Sequence, residues 1–211
     1  MKNKKIFIGI LSGTSMDSID CGIYNFCNNK LEEIAFYENK YPDQIRNKMN
    51  SNLEELKKNY DESYLNIELS KEYGKIVNRV LSKEKIDSKD VIAIGMHGQT
   101  ISHLKHGGRN ISIQIGCPKT LSKETQIKVI SGFRNHDIEN GGEGAPLAPI
   151  FHNYIFKKNN KKRIIVNIGG ISNISLIESD RNMNISGFDT GPGNTLIDSW
   201  MKNNFNSNYD K

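Results

Sequence analysis

The chain has 211 residues, 36% of them hydrophobic and 25% charged, with a formal net charge of +5. That is ordinary globular usage, enough for one large or two small domains and without the apolar depletion of disordered chains. Its basic residues are scattered and form no block interleaved with aromatics, so no nucleic-acid partner is expected. Cys21, Cys27 and Cys117 form no C-x-x-C pair, which argues against a disulfide framework or zinc ribbon and for a reducing, cytoplasmic compartment. No apolar run approaches the roughly 20 residues that span a bilayer, and the short run after the basic N-terminus lacks a secretory h-region, so no membrane association is expected.

In chain order, residues 5–11 read as a buried strand and 19–26 as a second with alternating faces. Between them lies Ser12-Gly13-Thr14-Ser15-Met16-Asp17-Ser18. Such a tip offers backbone N–H and hydroxyl donors to phosphate oxygens, with Asp17 and Asp20 placed for a hydrated divalent cation. The same residues also suit a plain polar hairpin turn. Residues 30–41 complete a meander that Pro42 ends, and helices are expected over 43–58 and 63–83. The second carries Leu65, Leu69, Tyr73, Ile76, Val77 and Val80 at helical spacing, a core stripe.

Residues 91–96 read as a short buried strand that delivers His97-Gly98-Gln99-Thr100 to its C-terminal end, where open α/β sheets bind ligands. His97, His103 and His106 match no zinc spacing. His97 and the two-way hydrogen-bonding Gln99 fit the polar lining of a sugar pocket better. A strand at 111–115, a short helix at 120–125 and a strand at 128–130 follow. Residues 131–149 have no clear period, which marks a functional or mobile segment. Within it Arg134 can pair with a carboxylate, either that of Asp137 or that of a substrate. A short helix is expected at 152–157 and a basic turn at 159–162.

Residues 163–168 and 174–178 read as strands joined through Gly169-Gly170-Ile171-Ser172-Asn173, an echo of the first hairpin that suggests a duplicated architecture. The next strand ends in Gly187-Phe188-Asp189, followed by Thr190-Gly191-Pro192-Gly193-Asn194 and a helix with Leu196, Ile197, Trp200 and Met201 on one face. Asp189 is therefore expected at a tight strand-to-helix corner, where glycines admit a ligand and the helix N-terminus offers N–H donors to negative groups. Residues 203–211 read as a loose tail.

Taken together, Ile10-Leu11-Ser12-Gly13-Thr14-Ser15-Met16-Asp17, His97-Gly98-Gln99-Thr100, Gly141-Gly142-Glu143-Gly144-Ala145-Pro146-Leu147, Asn167-Ile168-Gly169-Gly170-Ile171-Ser172-Asn173 and Gly187-Phe188-Asp189-Thr190-Gly191-Pro192-Gly193-Asn194 resemble, in the same order, the anhydro-N-acetylmuramic acid kinases. The resemblance implies an actin-like, sugar-kinase (ribonuclease H-like) two-lobe α/β fold, with residues 1–130 as the first lobe and 131–211 as the start of an incomplete second. It implies ATP and magnesium, an amino-sugar substrate, and opening of a 1,6-anhydro bridge by water with transfer of the γ-phosphoryl group to O6. Carried over by position, Asp189 is the base that activates water. Gly13, Thr14, Ser15, Met16, Asp17, Ser18, Ile19 and Asp20 bind the ATP phosphates with magnesium, and Asn167, Gly169 and Gly170 face them from the second lobe. His97, Gln99, Arg134 and Asp137 are the expected substrate contacts, and a homodimer is the expected assembly. Ser18 stands where the family usually has Gly, Gly132 where it has Asp and Glu143 where it has Gln. If position 18 needs a positive φ, serine there costs about 1–2 kcal/mol. Family members also continue well past Lys211.

Overall fold

A computed structural model describes residues 5–59, 63–158, 161–178, 185–207 and 210. The chain divides into two compact units, Met1–Gly142 and Glu143–Lys211, with the division falling in the glycine-rich segment beyond the 130/131 boundary expected from sequence.

The first unit is a mixed sheet with helices. β1 (Ile6–Ser12), β2 (Ser18–Cys27) and β3 (Lys30–Lys40) form the antiparallel meander read from the sequence. Helices α1 (Asp43–Ser51), α2 (Leu53–Asn59) and α3 (Tyr64–Glu84) follow. The single helix expected over 43–58 is broken at Asn52, whose side chain donates to the Lys48 carbonyl while Ser51 Oγ donates to that of Asn47. Such local side-chain bonds compete with the helical ladder. Ser63 caps α3 by accepting from Leu65 N–H at 3.2 Å.

After a 3-10 turn at Ser88–Asp90, β4 (Val91–His106) runs parallel to β1 and pairs antiparallel with β5 (Arg109–Ile115); α4 (Pro118–Thr125), β6 (Val129–Ile130) and α5 (Phe133–Glu139) complete the unit. The strand order is β3-β2-β1-β4-β5, with β6 parallel to the start of β4. β4 is far longer than the strand expected at 91–96. Gly107 and Gly108, both at positive φ (56° and 79°), make a two-residue hairpin turn that lets it pair with β5 over its second half. The residues expected beyond its end, 97–100, are therefore inside it.

One face of this sheet is covered by α3. Ile6, Ile8, Ile10, Ile19, Cys21, Ile23, Ile94 and Met96 are buried in one cluster with Leu65, Leu69, Tyr73, Ile76, Val77 and Val80. Each fully buried aliphatic side chain contributes roughly 1.5–3 kcal/mol.

The second unit begins with α6 (Ala148–Phe156), longer than the helix expected at 152–157 and started by Pro149 in its first turn. A three-stranded antiparallel sheet follows: β7 (Arg163–Ile168), β8 (Ile171–Ile177) and β9 (Ile185–Pro192), in that order. α7 (Asn194–Phe205) ends the unit and takes in the start of the segment read as a loose tail. The basic turn at 159–162 and the rest of that tail lie partly outside the described residues.

Candidate functional site

In the first unit the candidate residues gather around the β1–β2 hairpin. Gly13, Thr14, Ser15 and Asp17 are exposed at the tip, which turns through Met16 at φ 55° with Met16 N–H donating to the Gly13 carbonyl at 3.1 Å. Positive φ falls on Met16 and not on Ser18, which is the first residue of β2, so the strain expected at position 18 is absent. The tip is tied from beneath. Gln99 Nε2 donates to Gly13 O at 3.0 Å, Tyr41 N–H to Asp17 O at 3.2 Å and Arg46 Nη1 to Met16 O at 3.4 Å. With these carbonyl dipoles engaged, an incoming phosphate meets the hydroxyls of Thr14 and Ser15 with less opposing oxygen charge.

The hold comes from a buried polar network. Ser12 Oγ donates to Gln99 Oε1 at 2.8 Å and lies 2.8 Å from Tyr73 OH, while Gln99 Nε2 also donates to Thr100 O at 3.1 Å. Ser12, Tyr73 and Gln99 are all buried. Gln99 was expected to line a sugar pocket. Instead its amide is spent inside the protein, bracing the tip from the neighbouring strand, and it offers no atom to a sugar.

Ile19 needs a similar correction: its side chain is fully buried in the core, so only its main chain remains for a ligand, and its carbonyl already accepts from Asn39 Nδ2 at 3.1 Å. Asp20 points to the other face, in register with Leu11 and Glu38, and accepts from Ser18 Oγ at 3.0 Å. Among the described residues no group of three His, Cys, Asp or Glu side chains could enclose a metal ion. The donor set still fits magnesium, which keeps several waters and takes one or two carboxylates beside phosphate oxygens. Asp17 and Asp20 are the residues that would hold it.

His97 sits on the sheet face opposite α3, at an irregularity in the β1–β4 register. Arg134 Nε donates to His97 Nε2 at 2.9 Å, and His97 Nδ1 lies 3.1 Å from Gly98 O. An accepting Nε2 requires the neutral ring with its proton on Nδ1. Burial pushes the His97 pKa below its usual value and the Arg134 charge adds to this, against the Gly98 contact. Arg134 and Asp137 stand on α5, a helix the aperiodic reading of 131–149 missed. Gly132 starts it in the left-handed region at φ 75° without a side-chain cap, and Phe133 packs within reach of Gly95. Asp137 lies against Gly142, where a Cβ would meet its carboxylate, and Gly142 N–H donates to the Asp137 carbonyl at 2.8 Å. Arg134 and His97 are thus brought together. A depression of about 700 Å³ elsewhere on this unit, lined by Pro118, Lys119, Ser122 and Lys123, contains none of the candidate residues.

In the second unit Asp189 is exposed and lies within β9, three residues before that strand ends at Pro192. It is not at the corner itself. Its register partner is Asn173 on β8, whose own partner across β7 is Asn167. Antiparallel partners project from the same face, so Asn167, Asn173 and Asp189 form one polar row across three strands. Asn173 was not among the expected site residues. The signal was the six-residue offset from Asn167 to Asn173, which a three-residue turn through Gly169, Gly170 and Ile171 converts into a direct pair.

The corner is Gly193. A Cβ there would meet Gly169 O at 2.3 Å, so only glycine fits. Gly193 N–H donates to Gly170 O at 2.9 Å and Asn194 N–H to Gly169 O at 2.8 Å, with Thr195 Oγ1 also donating to Gly170 O at 2.6 Å. The N–H donors of Gly193 and Asn194, expected to meet a negative ligand, are used to lock the β7–β8 turn onto α7.

The family model for anhydro-N-acetylmuramic acid kinase matches residues 5–211. The chain belongs to that family. It is 40% identical over 216 residues to an anhydro-N-acetylmuramic acid kinase of Shewanella sp. strain ANA-3, covering 99% of this chain and 57% of the relative. A Coxiella burnetii anhydro-N-acetylmuramic acid kinase (strain Dugway 5J108-111) is 39% identical over 212 residues, covering 98% and 55%. The chain thus spans just over half the length of the curated relatives it matches. Among solved structures, an Aquifex aeolicus Ppx/GppA phosphatase aligns over 95% of this chain and 55% of its own at 12% identity and TM-score 0.46. A Bacteroides thetaiotaomicron protein with an actin-like ATPase fold aligns over 98% and 79% at 11% identity and TM-score 0.36. The fold is mixed α/β.

Proposed function

We propose that this kinase-family chain carries both halves of the reacting groups for an ATP-dependent opening of 1,6-anhydro-N-acetylmuramic acid. The products are N-acetylmuramic acid 6-phosphate and ADP, in cytoplasmic recycling of cell-wall sugar. The observation that carries the reading is the exposed Asp189 carboxylate in register with Asn173 and Asn167 beside the Gly169–Gly170 turn. A carboxylate flanked by amides can accept a proton from a water while the amides orient that water.

In the reaction, water oxygen bonds to the anomeric carbon as the bond from that carbon to O6 breaks, and the water proton goes to Asp189. The released O6 bonds to the γ-phosphorus of ATP, and ADP leaves. The hydroxyls and main chain of the Gly13–Asp17 tip bind the phosphates, and Arg134, held by His97, presents a guanidinium to the substrate carboxylate. Magnesium, when bound, neutralises charge on the transferring phosphoryl group. Positioning and charge stabilisation supply most of such catalysis.

A second reading has its own support: Asp189 is exposed, whereas a general base of this kind works in a water-excluded site, and the chain spans 57% of its Shewanella relative. On that reading the chain binds sugar or nucleotide and needs further polypeptide for turnover. The three described cysteines are free, consistent with a reducing compartment, and no helix among the described residues is long and apolar enough to cross a membrane. The assembly proposed is a homodimer, checked by sedimentation.

The test is Asp189→Asn. It should abolish formation of the 6-phosphate sugar while ATP affinity stays within twofold of the parent. A variant that turns over at near-parental rate removes Asp189 from the mechanism.

A further inference from the structure

The β1–β2 tip is held from two sides, by Gln99 on β4 and by the start of α1. On the α1 side Tyr41 N–H donates to the Asp17 carbonyl at 3.2 Å and Arg46 Nη1 to the Met16 carbonyl at 3.4 Å, so two consecutive carbonyls of the tip are taken up by one short stretch of chain. That stretch is itself fixed. Tyr41, Ile45 and Met49 are buried in the core, and Tyr41 OH donates to Met49 Sδ at 3.3 Å. Met16, at positive φ, packs its side chain against the same core.

Arg46 reaches from this platform to the tip, and its two terminal nitrogens serve different partners. Nη1 donates to the Met16 carbonyl and Nη2 to the Asp43 carboxylate, which also accepts from Lys40 Nζ at 2.8 Å. A planar guanidinium engaged at both prongs is fixed in orientation, whereas the ammonium of a lysine is a single point on a flexible stem. Asp43 therefore sets the angle of Arg46, and Arg46 sets the Met16 carbonyl. The next residue is Asp17, whose carbonyl is pinned by Tyr41 and whose side chain is exposed.

We propose that Arg46 is a positioning residue for nucleotide binding: oriented by Asp43, it fixes the Met16–Asp17 backbone and so aims the Asp17 carboxylate at the magnesium ion that accompanies ATP. It acts through Asp17 and touches neither the phosphates nor the metal. Removing a residue that orients a metal ligand in this way typically costs roughly 10–100-fold in metal affinity. The inference rests on the reading of the Gly13–Asp17 tip as the phosphate site and goes beyond it by naming what sets the geometry of that tip. It is independent of the role proposed for Asp189, and its test reads no turnover.

The experiment titrates the chain with ATP in a calorimeter, once with Mg²⁺ and once with EDTA in its place, beside thermal unfolding and hydrogen exchange. Arg46→Ala should weaken binding by about tenfold or more with Mg²⁺ and by much less without it, a split that general loosening of the fold does not produce. Its melting temperature should stay within about 2 °C of the parent, as for other partly exposed positions. Arg46→Lys, which keeps the charge and loses the fork, should not restore the affinity. Asp43→Asn should weaken Mg²⁺-dependent binding in the parent and have no further effect beside Arg46→Ala. If Arg46→Ala does not fold, Arg46→Lys and Asp43→Asn carry the same comparison. Equal losses with and without Mg²⁺, full affinity in Arg46→Lys, or additive effects of the Asp43 and Arg46 substitutions overturn the proposal. A parent chain that binds no ATP refutes the phosphate reading of the tip, and the nucleotide role of Arg46 with it. The Met16 and Tyr41 amides, both bonded to carbonyls of the tip, should still exchange faster in Arg46→Ala, which separates a clasp without a nucleotide from no clasp at all.

Discussion

Replacing Gln99 by Leu separates two roles that one residue cannot hold together. Its side chain makes three hydrogen bonds inside the first unit, accepting from Ser12 Oγ and donating to Gly13 O and Thr100 O. Leucine fills much the same volume but satisfies none of them. Ser12 retains Tyr73 and Gly13 O retains Met16 N–H, so the loss is partial. At about 1–3 kcal/mol for each buried group left short of a partner, a destabilisation of about 2–4 kcal/mol follows. For a chain of this length that corresponds to a fall in melting temperature on the order of 10 °C. Thermal or urea unfolding measures it, and calorimetric titration with ATP should show weakened binding because the hairpin tip loses its brace. If Gln99→Leu unfolds within about 0.5 kcal/mol of the parent, within the range of neutral surface changes, and loses only sugar binding, Gln99 faces the ligand and the bracing role is wrong.

Other substitutions probe separate parts of the account. His97 has a lowered native pKa, so as pH falls below about 6.5 the unfolded ring takes up a proton that the native ring resists. Stability should drop over that range and level off once the native ring also titrates, with no contribution above it; Arg134→Ala should move the His97 titration upward in an NMR series. Gly193→Ala drives a methyl group into Gly169 O and Ser172 Oγ and should destabilise the second unit by about 1–3 kcal/mol, read by hydrogen exchange in α7. Thiol labelling should find Cys117 first and Cys21 last. Burial pushes the Cys21 thiol up to about 12. At Cys117 burial also pushes upward, but hydrogen bonds from Thr120 and Lys119 and the Lys119 charge outweigh it.

The meander, α3 and the strand at 163–168 were legible because period-2 and helical stripes mark them directly, while β8 begins three residues before the strand expected at 174–178. Where the reading failed, a local device overrode the stripe. The Gly107-Gly108 turn carried β4 ten residues beyond Met96, and that signal was present in the chain but outweighed by the polar residues after Met96. α5 is two turns long and opens on a left-handed glycine, too short for any period to show.

The candidate site divides the same way. Exposed groups at the tip of the hairpin follow from composition, and the meeting of His97 with Arg134 needs the fold, since the two are distant in sequence. Gln99 shows the limit plainly. A glutamine after a strand suits a sugar and a buried bracket equally, and only the positions of Ser12 and Tyr73 distinguish them. Asp189 was expected at the corner on the assumption that its strand stops where glycine appears, and it lies inside β9. Gly187 and Gly191 are both inside β9, and Gly187 is there because Pro149 leaves no room for a Cβ.

The measurement that bears most directly on the central claim is a product balance. The chain is incubated with ATP, Mg²⁺ and 1,6-anhydro-N-acetylmuramic acid in ¹⁸O-labelled water. The account predicts one N-acetylmuramic acid 6-phosphate for each ADP, ¹⁸O on the anomeric carbon, none in the transferred phosphate, and no product from Asp189→Asn. ADP released with ¹⁸O in free phosphate and no phosphorylated sugar would contradict it.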